Sequence, residues 1–304
     1  MDINEIPNNS IQCSLSVISS YLDCPIVGKD IVIDGFNLCN RTILANNAIS
    51  YCTSIDYMLF AIRNDKVKAL IVSPELFNQL EDPLKERFSY IISPTPEWSF
   101  YRVYMYMIEK GMFSLYNWKT VLENVNISTG AIVEDGVILG KNVSIGSNSV
   151  IKSGTIIGDN VVIGACSVIG SEGFQLIKDD KGINHTIPHV GRTYIGNNVS
   201  LGDNVTISRS LFEGYTIISD NVKIDNQVHI GHNCYIGKNS VITANSTMFG
   251  SSSIGTDVWI APHCAIMNKV HVGDNAFVCA CSFVWRNVKS GTKVGGNPAH
   301  RIQE

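Results

Sequence analysis

Residues 218–241 read ISDNVK IDNQVH IGHNCY IGKNSV, four hexapeptides headed by Ile218, Ile224, Ile230 and Ile236. A return every sixth residue fits neither the period of 2 of a strand nor the 3.6 of a helix, so the segment is a repeat rather than one element. Outward from it the frame continues through Ile242, Met248, Ile254, Ile260, Ile266, Val272 and Val278 to Val284. Upstream it runs from Ile127 through Val133, Leu139, Ile145, Ile151, Ile157 and Ile163 to Ile169, and resumes at Ile195, Leu201 and Ile207, then slips by one residue before Ile218. These positions make 23 hexapeptides, in blocks of eight, three and twelve. Gly and Asn behind the aliphatic residue tolerate a tight turn, and Val and Ile suit a flat strand, so each hexapeptide forms one side of a three-sided coil. A single coil cannot bury its aliphatic face, whereas coils stacked ~4.8 Å apart bury a continuous ladder. The predicted architecture is a parallel β-helix prism.

The repeat stops between Gly170 and Thr193, so 170–194 is expected to project as an excursion loop, and a long loop of this kind suits a flap over a groove. Residues 1–95 lack the frame and alternate IVIDG, SIDYMLFAIRN, KALIVS, PELFNQL and SYIIS, the pattern of a small α/β domain. Pro96 opens WSFYRVYMYMIEKG, apolar all round, a helical connector assigned to 96–122 and packed on both sides. The prism is assigned to 123–304.

Composition narrows the function. Charged residues make up 16% of the 304, and 23 Lys plus Arg against 27 Asp plus Glu give a net charge of −4, which argues against a broad basic surface for nucleic acid. No apolar run reaches ~18 residues and Met1 to Ser10 is polar, so neither membrane insertion nor export is expected, and the nine scattered cysteines fit reduced thiols in a cytoplasm. GxxxxGK[ST], GxGxxG and GxSxG are all absent.

The [Ile/Leu/Val]-Gly-x-Asn-x run resembles the left-handed β-helix of the hexapeptide acyltransferases, a resemblance that implies handedness, a homotrimer and active sites in grooves between neighbouring prisms. ILANNAISYCTSIDYM, KALIVSPEL and TPEWSFYRV, with IGSEGF at 169–174 and IPHVGR at 187–192, are similar to the UDP-3-O-acylglucosamine N-acyltransferases of lipid A synthesis. That likeness implies a nucleotide-base site at Tyr51, Ser54 and Tyr57 and a general base at His232; His229, three residues earlier, reads either as an acceptor contact or as a structural residue. The sequence departs from the family where Ser54 replaces an Asn, Lys269 replaces a second histidine, and Ser208-Arg209 replaces an Asp-Arg pair. The ending GGNPAHRI resembles instead that of coenzyme A-dependent sugar acetyltransferases.

Coil arithmetic supports His232 independently. Residues eighteen apart stack at one corner, which aligns His232, Gly250, Asn268 and Arg286 in a column. Gly250 permits close approach and can offer its N–H to a developing oxyanion. Arg286, about 14 Å along at three inter-strand spacings, can meet the phosphates of a pantetheine donor laid past Asn268 and Lys269. The expected activity is therefore N-acyl transfer from acyl-CoA, acetyl-CoA above all, to the amine of a UDP- or dTDP-linked amino sugar, with no permanent cofactor and no metal. The alternative is the lipid A reaction itself, with an acyl carrier protein as donor. Two further readings are a zinc lyase resembling the γ-class carbonic anhydrases, with His229, His232, Cys234 and His263 as ligands, and a scaffold without catalysis.

Overall fold

A computed structural model describes residues 11–113, 124–298 and 300–302. The predicted prism is there. Its strands, most only two residues long, form three parallel sheets of seven, eight and ten strands, the last closed by an antiparallel strand at His300–Arg301. Register across a regular coil is eighteen residues, as in His229 to Thr247 and Thr247 to Ala265. From Leu139 to Val284 the aliphatic leaders are buried, while Ile127 at the open end is 39% exposed. The fourth residue of most hexapeptides, usually Asn, adopts the left-handed conformation, as at Asn221 (φ 62), Asn233 (φ 60) and Asn239 (φ 59). Asn carries that conformation with less strain than other side chains, which explains its recurrence at six-residue intervals. Inward-facing serines add a second ladder: the Ser149 hydroxyl accepts from the Ser167 N–H, and the Ser167 hydroxyl accepts from the Val205 N–H, both at 3.0 Å.

Two coils depart from eighteen. Ile156 pairs with Tyr194, 38 residues on, and Tyr194 pairs with Ile217, 23 residues on. The first departure is the predicted excursion, and its bulk is not plain loop: Leu176–Lys178 and Asn184–Thr186 form an antiparallel hairpin. The second corrects the one-residue slip, because five residues are inserted between Ser208 and Tyr215 rather than one deleted. Both insertions leave at one corner, between the eight- and seven-stranded sheets, directly above the corner of His232.

Ahead of the prism lies a sheet in the order Ile26–Val27, Ser89–Ile92, Val67–Val72, Ala48–Cys52 and Gly35–Phe36, parallel except for its first strand. It is flanked by α1 (Leu15–Leu22), α2 (Ile55–Arg63), α3 (Pro74–Gln79) and α4 (Asp82–Arg87). Helix α5 (Pro96–Glu109) stands in the segment expected as the connector, of which residues 114–122 lie outside the described residues. One face of α5 buries Phe100, Tyr101, Val103, Tyr104 and Met107 in a core shared with Ile187, Leu211 and Phe212 of the two insertions. Phe212 sits edge-on to Tyr104 at 5.1 Å and to Phe100 at 5.7 Å, and the Tyr104 hydroxyl donates to the Leu211 carbonyl at 2.8 Å. Burying such a ring contributes about 1.5–3 kcal/mol. The insertions are thus the plug that joins the two units. No helix among the described residues is long and apolar enough to cross a membrane, and all nine cysteines are unpaired.

Candidate active site

Of the column predicted from spacing, His232, Gly250 and Asn268 line a cleft of about 460 Å³, with Ser208, His229, Gly231, Phe249, Ser251 and Lys269 of the prism beside them. Arg41 from the α/β domain and Glu172, Phe174 and Gln175 from the excursion complete it. Arg286 lies beyond this cleft, in a neighbouring one with Trp285, where its guanidinium stacks 3.8 Å over that indole.

His232 is oriented by the residue that follows it. Its Nδ1 lies 2.9 Å from Asn233 Oδ1, and that oxygen also accepts the Leu211 N–H at 3.2 Å. A backbone N–H can only donate, so Oδ1 is an acceptor and the imidazole proton belongs on Nδ1. The Asn233 amide in turn donates to the Ser210 hydroxyl, and its own N–H donates to Thr216 Oγ1 at 2.8 Å. Nε2, which faces Gly250, has no hydrogen-bond partner among the described residues. Here glycine is required, since an added Cβ would stand 2.5 Å from Nε2. The Gly250 N–H has no acceptor among the described residues. Burial pushes His232 below its ordinary value; the Asn233 bond works in the opposite direction, and His189, Arg41 and His229 lower it further. Burial lowers His229 too.

His189, which sequence reading passed over, stands edge-on to His232 with ring centroids 5.2 Å apart. Its side chain is buried, Nδ1 donates to the Ile187 carbonyl at 3.0 Å, and Nε2 has no partner among the described residues. Glu172 accepts the His189 backbone N–H at 2.8 Å. Burial works to raise the Glu172 carboxyl, but the hydrogen bonds from His189 and the charge of Arg209 outweigh it and hold the group below the usual range. Arg209, the second member of the altered pair, ties down the base of the excursion, with Nε donating to the Gly170 carbonyl at 2.8 Å. Lys269 adopts the left-handed conformation (φ 63), where a side chain of this length is strained.

The residues assigned to a base are not gathered into this cleft. Ser54 caps α2, its hydroxyl accepting the Tyr57 N–H at 3.4 Å. The Tyr51 hydroxyl donates to Glu97 at 2.7 Å and its ring packs on Phe100 and Tyr101; Tyr57 is 40% exposed on the outer face of α2. The four imagined zinc ligands do not converge either: Cys234 is 1% exposed inside the prism, with Sγ 3.4 Å from Ser252 Oγ, whereas His229 faces outward. Among the described residues no group of three His, Cys, Asp or Glu could hold a metal ion.

Residues 136–171 and 215–250 match the family described as bacterial transferase hexapeptide (six repeats). Over 55 residues, 18% of this chain, it is 40% identical to a chloramphenicol acetyltransferase of Agrobacterium fabrum and 36% identical to one of Klebsiella aerogenes. That stretch spans about a quarter (26%) of each of these relatives. Among solved structures the chain is similar to a UDP-N-acetylglucosamine acyltransferase from Campylobacter jejuni, at 25% identity and a TM-score of 0.53, over 60% of this chain and 69% of that one. The fold is thus that of the hexapeptide-repeat acyltransferases. All three of these relatives are named for acyl or acetyl transfer.

Proposed function

We propose that the protein is an N-acyltransferase that moves a short acyl group, acetyl in the first instance, from coenzyme A to the amine of a nucleotide-linked amino sugar, with His232 as general base. The observation that carries this reading is His232 Nε2, which has no hydrogen-bond partner among the described residues, standing beside Gly250, whose N–H has no acceptor among them. An amine attacking a thioester carbonyl forms a tetrahedral intermediate with a negative oxygen and a positive nitrogen. The Gly250 N–H can stabilise the oxygen, and Nε2 can take the proton from the nitrogen. Collapse of the intermediate forms the amide, breaks the C–S bond and expels the thiolate, which recovers the proton from the imidazolium. A base of ordinary or lowered pKa is neutral at pH 7 and ready for this step.

Asn268 and Lys269 stand on the next coil of the same column, with Arg286 one coil further, which suits an extended donor carrying phosphates at its far end. Outward-facing Trp259 and Phe277, stacked at 6.5 Å, offer an apolar surface for association with further copies, and the working unit is proposed to be a trimer. A second reading is a UDP-sugar acceptor with an acyl carrier protein as donor; the likeness to a UDP-N-acetylglucosamine acyltransferase supports its acceptor. Thiol release from acetyl-CoA with a panel of UDP- and dTDP-amino sugars tests the first reading. Turnover that is lost in His232→Ala supports it; silence, with activity from a 3-hydroxyacyl carrier protein, selects the second.

A further inference from the structure

Arg41 stands on a loop of the α/β domain and lines two cavities at once: the His232 cleft, and a second one of about 640 Å³ between the domain and the prism. Nη2 donates to the Ser251 hydroxyl at 3.3 Å, while Nη1 is buried and has no partner among the described residues. Arg41 has no carboxylate partner among the described residues, and its charge reaches His232, whose pKa it helps to lower. A guanidinium removed from water without an anion is costly, and its planar fork of donors matches a carboxylate or phosphate.

Asn37, Asn40, Thr42, Ser210 and Ser253 place polar groups on the walls of the second cavity. Its other ionisable wall group close to Arg41's loop is Glu213, 4% exposed, with neither oxygen in a well-formed hydrogen bond. Burial pushes that carboxyl up to about 8, against the pull of the Glu213 and Phe36 N–H groups. At neutral pH it is largely protonated, so it does not cancel the charge of Arg41.

We propose that Arg41 is an anion-binding residue that holds a phosphate or carboxylate of the acyl acceptor at the divide between the two cavities, so that the acceptor's amine reaches His232 while its hydroxyl-bearing remainder fills the polar cavity. This assignment rests on the acyl-transfer reading for the identity of the bound molecule, but the anion site can be tested apart from turnover. It places the acceptor's charge on a residue the sequence did not single out, at the domain junction.

The test is calorimetric titration of the full chain and of Arg41→Gln with uridine diphosphate, inorganic pyrophosphate and glucuronate. The expected result is binding of at least one of them by the wild type and a loss of tenfold or more in the variant. Binding of the first two alone assigns a phosphate, and binding of glucuronate alone assigns a carboxylate. Binding of none, or equal binding by both proteins, overturns the proposal. Melting of Arg41→Gln and Arg41→Met without ligand separates a structural role: neither is expected to melt below the wild type, and a lower melting temperature in both would overturn the assignment. If the titrations succeed while no acceptor is turned over, the anion site stands and only the acyl-transfer reading fails.

Discussion

The coils from Ile218 to Val284 and the corner above them, 171–217, use the same three faces for different ends. In the first region the coils repeat one another: a buried aliphatic leader, a left-handed fourth residue from Asn221 through Cys281, and register at eighteen. In the second, two insertions break the register at one corner, bury Ile187, Leu211 and Phe212 against α5, and bring His189, Glu172 and Ser210 to the neighbourhood of His232. Repetition supplies the rigid column, and interruption supplies the walls, the orienting groups and the junction.

The largest expected effect is on the chemistry. His232→Ala should lower kcat by about 10²–10⁴ with little change in melting temperature, because His232 is only partly buried and Nε2 has no partner among the described residues to lose; steady-state kinetics beside thermal melts checks this. Next comes Phe212→Ala at the junction, expected to cost about 3–5 kcal/mol, against a smaller loss for Ile127→Ala at the open end of the prism. Urea denaturation compares them, and equal losses would break the distinction between plug and coil. Gly250→Ala should reduce kcat about 10²-fold, since a 1 Å displacement of the base can cost that much. The new Cβ and the His232 ring cannot both keep their places, and the melting temperature should change less than the rate.

Smaller effects follow from proton linkage. Glu213 keeps its proton in the fold up to about pH 8 but ionises near 4.5 in the unfolded chain. The unfolded state therefore binds fewer protons in that window, and stability is lost as pH rises from about 4.5 to about 8. Glu213→Gln removes this loss and should stabilise the protein by about 1–3 kcal/mol at pH 7.5, with a smaller gain at pH 5. His232 works in the other sense: its lowered pKa means that the acidic limb of kcat/KM falls below pH 6.5. Asn233→Asp, by favouring the imidazolium, should move that limb upward.

The sequence by itself determined the prism, because a six-residue return of Ile and Val over 23 units satisfies one buried ladder and no other common element. It also determined the column of His232, Gly250, Asn268 and Arg286, since register at eighteen is a matter of counting. The elements of the α/β domain were legible as far as their apolar runs allowed: α2, α3 and α5 stand where the patterns placed them. Asn233 could not be recognised as the partner of His232, because Asn at the fourth place is the repeat's own turn residue and its second task leaves no separate mark. Ser54 shows the converse: a position assigned to a ligand is engaged in capping a helix. Arg41, Glu172, His189 and Glu213 belong to segments without period, and their neighbours are set by where the insertions pack. Only the tertiary structure decided those contacts, since a repeat fixes distance along the axis while a loop's partners depend on the surface it meets.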